Sequence, residues 1–337
     1  MYPEQFMIAD QEYVLNIADT QKDLDWTPQY NDSDMLVEAY QNFSGLAKRK
    51  KNAYIIQLLR IKHYIKNTLV FVPLAFTGDP FNPQKLIVCT LGMAAFCLLA
   101  SSIYIINDIK DAEIDALHPV KRMRPVACDA ISHREAFCYA ITCLLGTSLI
   151  LIYIGIYFCV PATSYVYVVL YFLFSVLYSF GLKNIPILDI VILMSGFLFR
   201  IMFGADIAGT YVSSWLYLTV IAGSFYFGLG KRRGELKNVK RENSRKVLEA
   251  YNLGFLDKFM YLCLTMALVF YALWAKEYPK EDVVWTVPIV ILICMRYSLD
   301  VEGASDGDPV EVVWKDKVLI GLITLFLVIL FGVLYIL

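Results

Sequence analysis

An all-α integral membrane protein with nine transmembrane helices is the fold class this sequence predicts, and three observations predict it. Of its 337 residues, 58% are hydrophobic and only 18% charged, against about 25% charged in a soluble domain. Nine largely apolar runs are long enough for a hydrocarbon core about 30 Å thick, which takes roughly 17–25 residues per helix. Lys and Arg fall almost wholly on alternate connections between those runs, the asymmetry that orients membrane proteins.

In order, the expected spans are Tyr54 to Thr77, Lys85 to Ile109, Arg134 to Cys159, Thr163 to Leu182, Pro186 to Ile207, Ser213 to Gly230, Phe255 to Ala275, Val283 to Tyr297 and Val318 to Leu337. The first carries Arg60, Lys62, His63 and Lys66 in its opening turns, so it is expected to lie half embedded before it crosses. Each of the others is bounded by charge or by Gly and Pro. Eight cysteines sit mostly inside apolar runs without CxxC spacing, the pattern of buried thiols rather than of disulfides or a zinc site.

With the N-terminus in the cytoplasm, segments 48 to 66, 109 to 134, 182 to 186, 231 to 258 and 296 to 317 face inward and hold 25 basic residues; the outer connections hold Lys85, Lys276 and Lys280. That contrast predicts an N-terminus inside and a C-terminus outside, and the chain is expected to be a multi-pass protein of the plasma membrane. Residues 1 to 47 have 9 acidic side chains before position 41 and one lysine. They have neither the basic n-region nor the long apolar run of a signal peptide, and read as an acidic cytoplasmic tail ahead of a membrane domain over 48–337. The net charge of -1 excludes a strongly cationic nucleic-acid binder.

Polar chemistry concentrates on the inner face. The second span runs into Asn107-Asp108-Ile109-Lys110-Asp111-Ala112-Glu113-Ile114-Asp115. At about 100° per residue, with Asp108 at 0°, Asp115 falls near 340°, Asp111 near 300° and Asn107 near 260°, so four oxygen-bearing side chains share an arc. Carboxylates that close repel one another unless a cation intervenes. Mg²⁺ binds through one or two carboxylates together with substrate phosphates. The plainer alternative is a solvated acidic helix end. Against it stand His118, Lys121, Arg122 and Arg124, which follow within ten residues and supply cations suited to phosphate.

Further cations mark the other inner helix ends: Lys66 beside Asn67, Lys183 beside Asn184, and Lys231-Arg232-Arg233-Gly234-Glu235. Each alone reads as a positive-inside anchor; together they point to a phosphate site. Arg200 lies within a span, where an arginine usually faces the bundle interior. Asp206, six residues on, suits a shared helical face poorly. Asp189 is expected to face the inner polar cavity, and Tyr104 to line a path for an apolar chain.

The run Asn107-Asp108-x-x-Asp111-x-x-x-Asp115 resembles the first aspartate-rich motif of the UbiA superfamily of intramembrane prenyltransferases. Tyr64 to Asn67, Asn107 to Pro125, Tyr178 to Lys183, Phe197 to Arg200, Gly230 to Leu236 and Arg296 to Val301 more narrowly resemble its polyprenyl-phosphate phosphoribosyltransferase branch. Aromatic prenyltransferases of the superfamily carry a second aspartate-rich motif after the sixth helix, where this chain has Lys231-Arg232-Arg233. The resemblance implies a nine-helix bundle around a cavity open to the cytoplasm. It also implies Mg²⁺-dependent transfer of 5-phosphoribose from 5-phosphoribosyl 1-diphosphate to a polyprenyl phosphate.

On that reading Asn107, Asp108, Asp111 and Asp115 hold the metal on the leaving diphosphate. Lys66, Lys121, Arg122, Arg124, Lys183, Arg200, Lys231 and Arg232 meet phosphates, and Asn67, His118, Asp189 and Glu235 are further candidates. The partners are these two substrates and the lipid bilayer; the oligomeric state stays open. Two alternatives remain at this stage: transfer of a prenyl group to an aromatic or other acceptor, and a transporter. The gathering of basic residues on the inner face weighs against the transporter.

Overall fold

The computed structural model describes residues 51–117, 121–238, 246–303 and 309–336. After a helical stretch at 51–59, ten α-helices occur there: α1 Pro83–Lys110, α2 Ala112–Ala116, α3 His133–Phe158, α4 Ala162–Ser179, α5 Leu188–Ala208, α6 Ser214–Asn238, α7 Leu253–Glu277, α8 Val287–Glu302, α9 Pro309–Lys315 and α10 Lys317–Tyr335. No strand appears among the described residues. Seven helical stretches are long and apolar enough to cross a membrane: α1, α3, α4, α5, α7, Asp282–Glu302 and α10. The expected tail, 1 to 47, lies outside the described residues.

Local chemistry explains the boundaries. Asn82 caps α1 by accepting from the backbone of Gln84 and Lys85, with Pro83 at the first position, where a missing N–H costs nothing. Ser132 and Glu135 form a capping box at α3, and Asn252 and Asp316 cap α7 and α10. Gly209 closes α5 in the left-handed region at φ 64°. At 28 residues α1 is about 42 Å long, longer than the hydrocarbon core. Its last turns therefore reach past the core and carry Asn107 and Asp108 to the polar boundary.

Among the expected spans, the eighth opens as a 3₁₀ helix over Glu281–Thr286 and runs on to Glu302, and two others depart further. Over Tyr54 to Thr77 the chain is helical to residue 59, turns at Arg60 in the left-handed conformation (φ 53°, ψ 46°), and continues as a 3₁₀ helix over Ile61–Phe71 and another over Pro73–Phe76. The slimmer coil accompanies a close backbone contact. A Cβ built on Gly204 would lie 2.2 Å from the Val70 carbonyl oxygen, so only glycine lets α5 approach this segment. Gly204→Ala is expected to lower stability by about 1–3 kcal/mol through overpacking. Thermal unfolding in detergent checks this, and an unchanged midpoint would refute the tight approach.

The other difference is at the sixth run, expected to end at Gly230. Here α6 continues to Asn238, so Lys231, Arg232, Arg233 and Glu235 stand on a helix rather than in a loop. Ion pairs from Arg232 to Asp189 on α5 and from Arg233 to Asp257 on α7 hold the extension in place.

Burial ranks the helices. Of the apolar window in each span, 61% is buried in α1 and 56% in α5, against 17–22% in the others. These two are interior. One apolar cluster joins Val70, Phe96, Leu99, Tyr171, Phe199 and Phe203; a second joins Ile190, Met194, Tyr226, Leu229, Leu256 and Tyr297. Helix α5 contributes to both and so connects the two halves around the cavity.

Candidate active site

The acids at the end of α1 come together, but not as a single row. The chain departs from ideal helix at Asp111 (φ -92°, ψ 4°), although the Asp111 N–H still donates to Asn107 O. Asp108 and Asp115 are buried, and one nitrogen, Arg124 Nη1, bridges them at 3.0 Å and 2.6 Å. Arg60 Nη2 donates to the same Asp108 oxygen at 2.5 Å. Lys121 Nζ lies 4.0 Å from Asp115. Asp111 turns instead to Lys183, which donates to both carboxylate oxygens at 2.9 Å and 3.2 Å. The repulsion expected among these acids is thus relieved by guanidinium and ammonium groups.

The donor set fits a hard divalent cation in kind. Two buried carboxylates share one positive atom, and Asn107, on the wall of the adjoining cavity, adds an amide oxygen of the type Mg²⁺ accepts. Among the described residues no three His, Cys, Asp or Glu side chains converge as one metal cluster. The expected three-aspartate set is therefore divided, because Asp111 sits at the bend and faces Lys183.

A cavity of about 270 Å³ opens beside these acids. Its lining includes Arg60, Lys66, Tyr104, Asn107, Arg124, Tyr171, Tyr178, Phe197, Arg200 and Lys231. Five of these side chains are cationic, a lining that favours anions, and two of them, Arg60 and Arg124, also hold the buried acids. Tyr104 lines it as expected, and the Arg60 guanidinium lies 4.7 Å from the Tyr104 ring centre. Asn67 is buried behind the wall, accepting from Arg200 Nε at 2.6 Å and donating to Cys97 Sγ at 3.2 Å.

Arg232 is placed apart from this wall. It is fully buried, and it donates to Asp189 at 2.6 Å, to Glu235 at 2.5 Å and to Tyr178 Oη at 2.9 Å. Asp189, also fully buried, accepts from Tyr251 Oη at 2.7 Å, and that hydroxyl accepts from the Ile187 N–H. Burial and the neighbouring carboxylate push the Tyr251 pKa up to about 12, so the hydroxyl stays a donor. Asp189 faces Arg232 rather than the open cavity, and the network ends on Tyr178, which lines it. Arg233 reaches Asp257 and the carbonyl of Val301, bracing the α6 extension on the end of α8.

Arg122 is exposed and does not line the cavity. His118 lies outside the described residues. Sequence reasoning missed Arg60 and Tyr251 as site residues. Arg60 was masked by its basic neighbours, which read as a membrane anchor, and Tyr251 gives no sequence signal because its role depends on a loop folding back under α5.

Residues 68–295 match the model of the UbiA prenyltransferase family. The chain is 34% identical over 284 residues to a decaprenyl-phosphate phosphoribosyltransferase of Mycolicibacterium smegmatis, across 79% of this chain and 87% of the relative. It is 34% identical over 278 residues to the protein of that name from Corynebacterium glutamicum, across 79% and 82%. In fold it is similar to a UbiA homologue from Archaeoglobus fulgidus solved with GPP and Mg²⁺, with a TM-score of 0.65, 18% identity and coverage of 83% and 99%. The chain belongs to the UbiA prenyltransferase family.

Proposed function

We propose that this multi-pass membrane protein transfers 5-phosphoribose from 5-phosphoribosyl 1-diphosphate to a polyprenyl phosphate, releasing diphosphate. The observation that carries the reading is the junction, through Arg124 and Arg60, of the buried Asp108–Asp115 pair with a cavity lined by five cationic side chains, a charge set suited to substrates that together bear several phosphates. The similarity to decaprenyl-phosphate phosphoribosyltransferases supports the same reaction. The cations of the α6 extension, where an acidic second motif is expected of an aromatic prenyltransferase, weigh against transfer of a prenyl group.

The C1–oxygen bond to the diphosphate breaks while a lipid phosphate oxygen bonds to C1, which inverts that carbon. The lipid phosphate is already anionic, so no general base is needed. Bound Mg²⁺ would supply charge neutralisation on the departing diphosphate, and Asp108, Asp115 and Asn107 would hold it, with Asp111 close by on Lys183. Arg124, Arg60 and Lys121 then pass from carboxylates to phosphate oxygens, with exposed Arg122 serving the approach from water. Lys66, Lys183 and Lys231 take the remaining charge. Arg232, Glu235 and Asp189 hold Tyr178 against the cavity.

In this reading the chain crosses the plasma membrane nine times, with the first and sixth runs completing the bundle. The N-terminus, the acidic tail 1 to 47 and the cavity mouth lie in the cytoplasm, and the C-terminus lies outside. Purified full-length protein with Mg²⁺, radiolabelled 5-phosphoribosyl 1-diphosphate and polyprenyl phosphates is expected to yield labelled lipid, and chelation of the metal to abolish it. Absence of labelled lipid with every chain length tested would overturn the proposal. Product from prenyl diphosphate and an aromatic acid would favour prenyl transfer.

A further inference from the structure

Arg200 is the thirteenth residue of the 21-residue α5, so it lies near the middle of a spanning helix. It is 6% exposed and lines the cavity. Its donors go to neutral acceptors: Nε to Asn67 Oδ1 at 2.6 Å, Nη1 to the Gly196 carbonyl at 2.6 Å and Nη2 to Tyr171 Oη at 2.8 Å. Among the described residues no carboxylate lies within ion-pair distance of it. Arg232, the other deeply buried arginine, is paired with Asp189 and Glu235. The partners of Arg200 orient the guanidinium without neutralising it, and a fixed, uncompensated cation inside a membrane bundle is costly unless a ligand supplies the charge.

Its position relative to the acids follows from two elements. Arg60 meets Asp108, and Asn67 meets Cys97. Seven residues of 3₁₀ helix separate Arg60 from Asn67, about 14 Å at 2.0 Å per residue. Eleven residues of α-helix separate Cys97 from Asp108, about 16 Å at 1.5 Å per residue. Both put the Arg200 cluster well below the acidic rim. Two phosphates flanking one carbon, with a charge-assisted hydrogen-bond layer of about 2.8 Å at each end, fill a gap of that order.

We propose that Arg200, held by Asn67 and Tyr171, is the receptor for the phosphate of the lipid substrate, so that nucleophile and leaving group meet the sugar carbon from opposite ends of the cavity. The inference rests on the phosphoribosyl-transfer reading and assigns one of its phosphates. The apolar wall near Arg200, with Ile103, Leu193 and Phe197, suits an isoprenyl chain arriving within the membrane. The hydrophilic donor arrives through the rim, where Arg60, Arg124 and Lys231 stand. In the step itself, a lipid phosphate oxygen forms the bond to C1 and the diphosphate oxygen leaves with the electron pair of the bond that breaks.

Equilibrium binding to the full chain in detergent tests this without turnover, using farnesyl phosphate, farnesol and Mg²⁺ with 5-phosphoribosyl 1-diphosphate as probes. Arg200→Gln is expected to raise the Kd for farnesyl phosphate by about tenfold or more, on the scale of one lost charge-assisted contact. Farnesol and 5-phosphoribosyl 1-diphosphate should bind as in the wild type. Unchanged farnesyl phosphate binding would overturn the assignment, as would an equal loss for 5-phosphoribosyl 1-diphosphate, which would give Arg200 to the sugar phosphate. If Arg200→Gln elutes aggregated, Tyr171→Phe decides: it should raise KM for the lipid and leave KM for the sugar donor, and equal effects on both would refute the proposal. A wild type that binds farnesyl phosphate through Arg200 yet makes no ribosyl lipid would sink the reaction while leaving the subsite intact.

Discussion

Asp108→Asn is expected to lower turnover by about a thousandfold, with folded protein still recoverable. Asp108 is a meeting point for charge: Arg60 and Arg124 both donate to its Oδ1 atom, and Arg124 links it to Asp115. An amide keeps the shape and one acceptor oxygen but removes the negative charge that would face Mg²⁺. Loss of metal-assisted charge stabilisation is worth several kcal/mol in the transition state, and about 4 kcal/mol corresponds to the stated factor. Release of diphosphate measured against Mg²⁺ concentration gives the test. The variant should also need more metal for half-maximal rate; full turnover at the wild-type Mg²⁺ requirement would remove Asp108 from the metal site.

Arg232→Ala is expected to have the largest effect on stability. Arg232 and Asp189 are both fully buried and 2.6 Å apart, so truncating the arginine leaves a buried carboxylate without its countercharge, with the Tyr251 hydroxyl still donating to it. Breaking a buried pair from one side costs about 3–5 kcal/mol, enough to deplete folded protein in detergent. Removing both buried charges by combining Arg232→Met with Asp189→Leu should recover much of the loss, because the buried carboxylate is gone and the partly exposed Glu235 can turn to water. Thermal midpoints of the two single variants and the double variant form the cycle. A double variant no more stable than Arg232→Ala would show that Glu235 and Tyr178 carry the network instead.

The sequence made the helical membrane fold legible because a spanning helix needs little beyond sustained apolar length, and α1, α3, α4, α5, α7 and α10 follow their apolar runs closely. The acidic motif was legible through spacing, since a repeat of three and four residues puts side chains on one face. What spacing could not foresee was the bend at Asp111, which sends that side chain to Lys183, 72 residues away. Arg232 was equally opaque. Next to Lys231 and Arg233 it resembles one more cation, and only the fold reveals that its partner, Asp189, waits on another helix. The 3₁₀ course of Ile61–Phe71 was hidden for a related reason, being matched to a glycine more than 130 positions later.

Helix α5 holds Asp189 and Arg200 eleven residues apart, close to three whole turns, so both project from one side of the rod. Its register therefore works as a gauge block between the brace beneath the basic helix and the arginine within the membrane. A residue inserted or deleted between them would swing one station by about 100° relative to the other. A length change in the loops that flank α5 leaves this register untouched, whereas one within it moves the two side chains relative to each other.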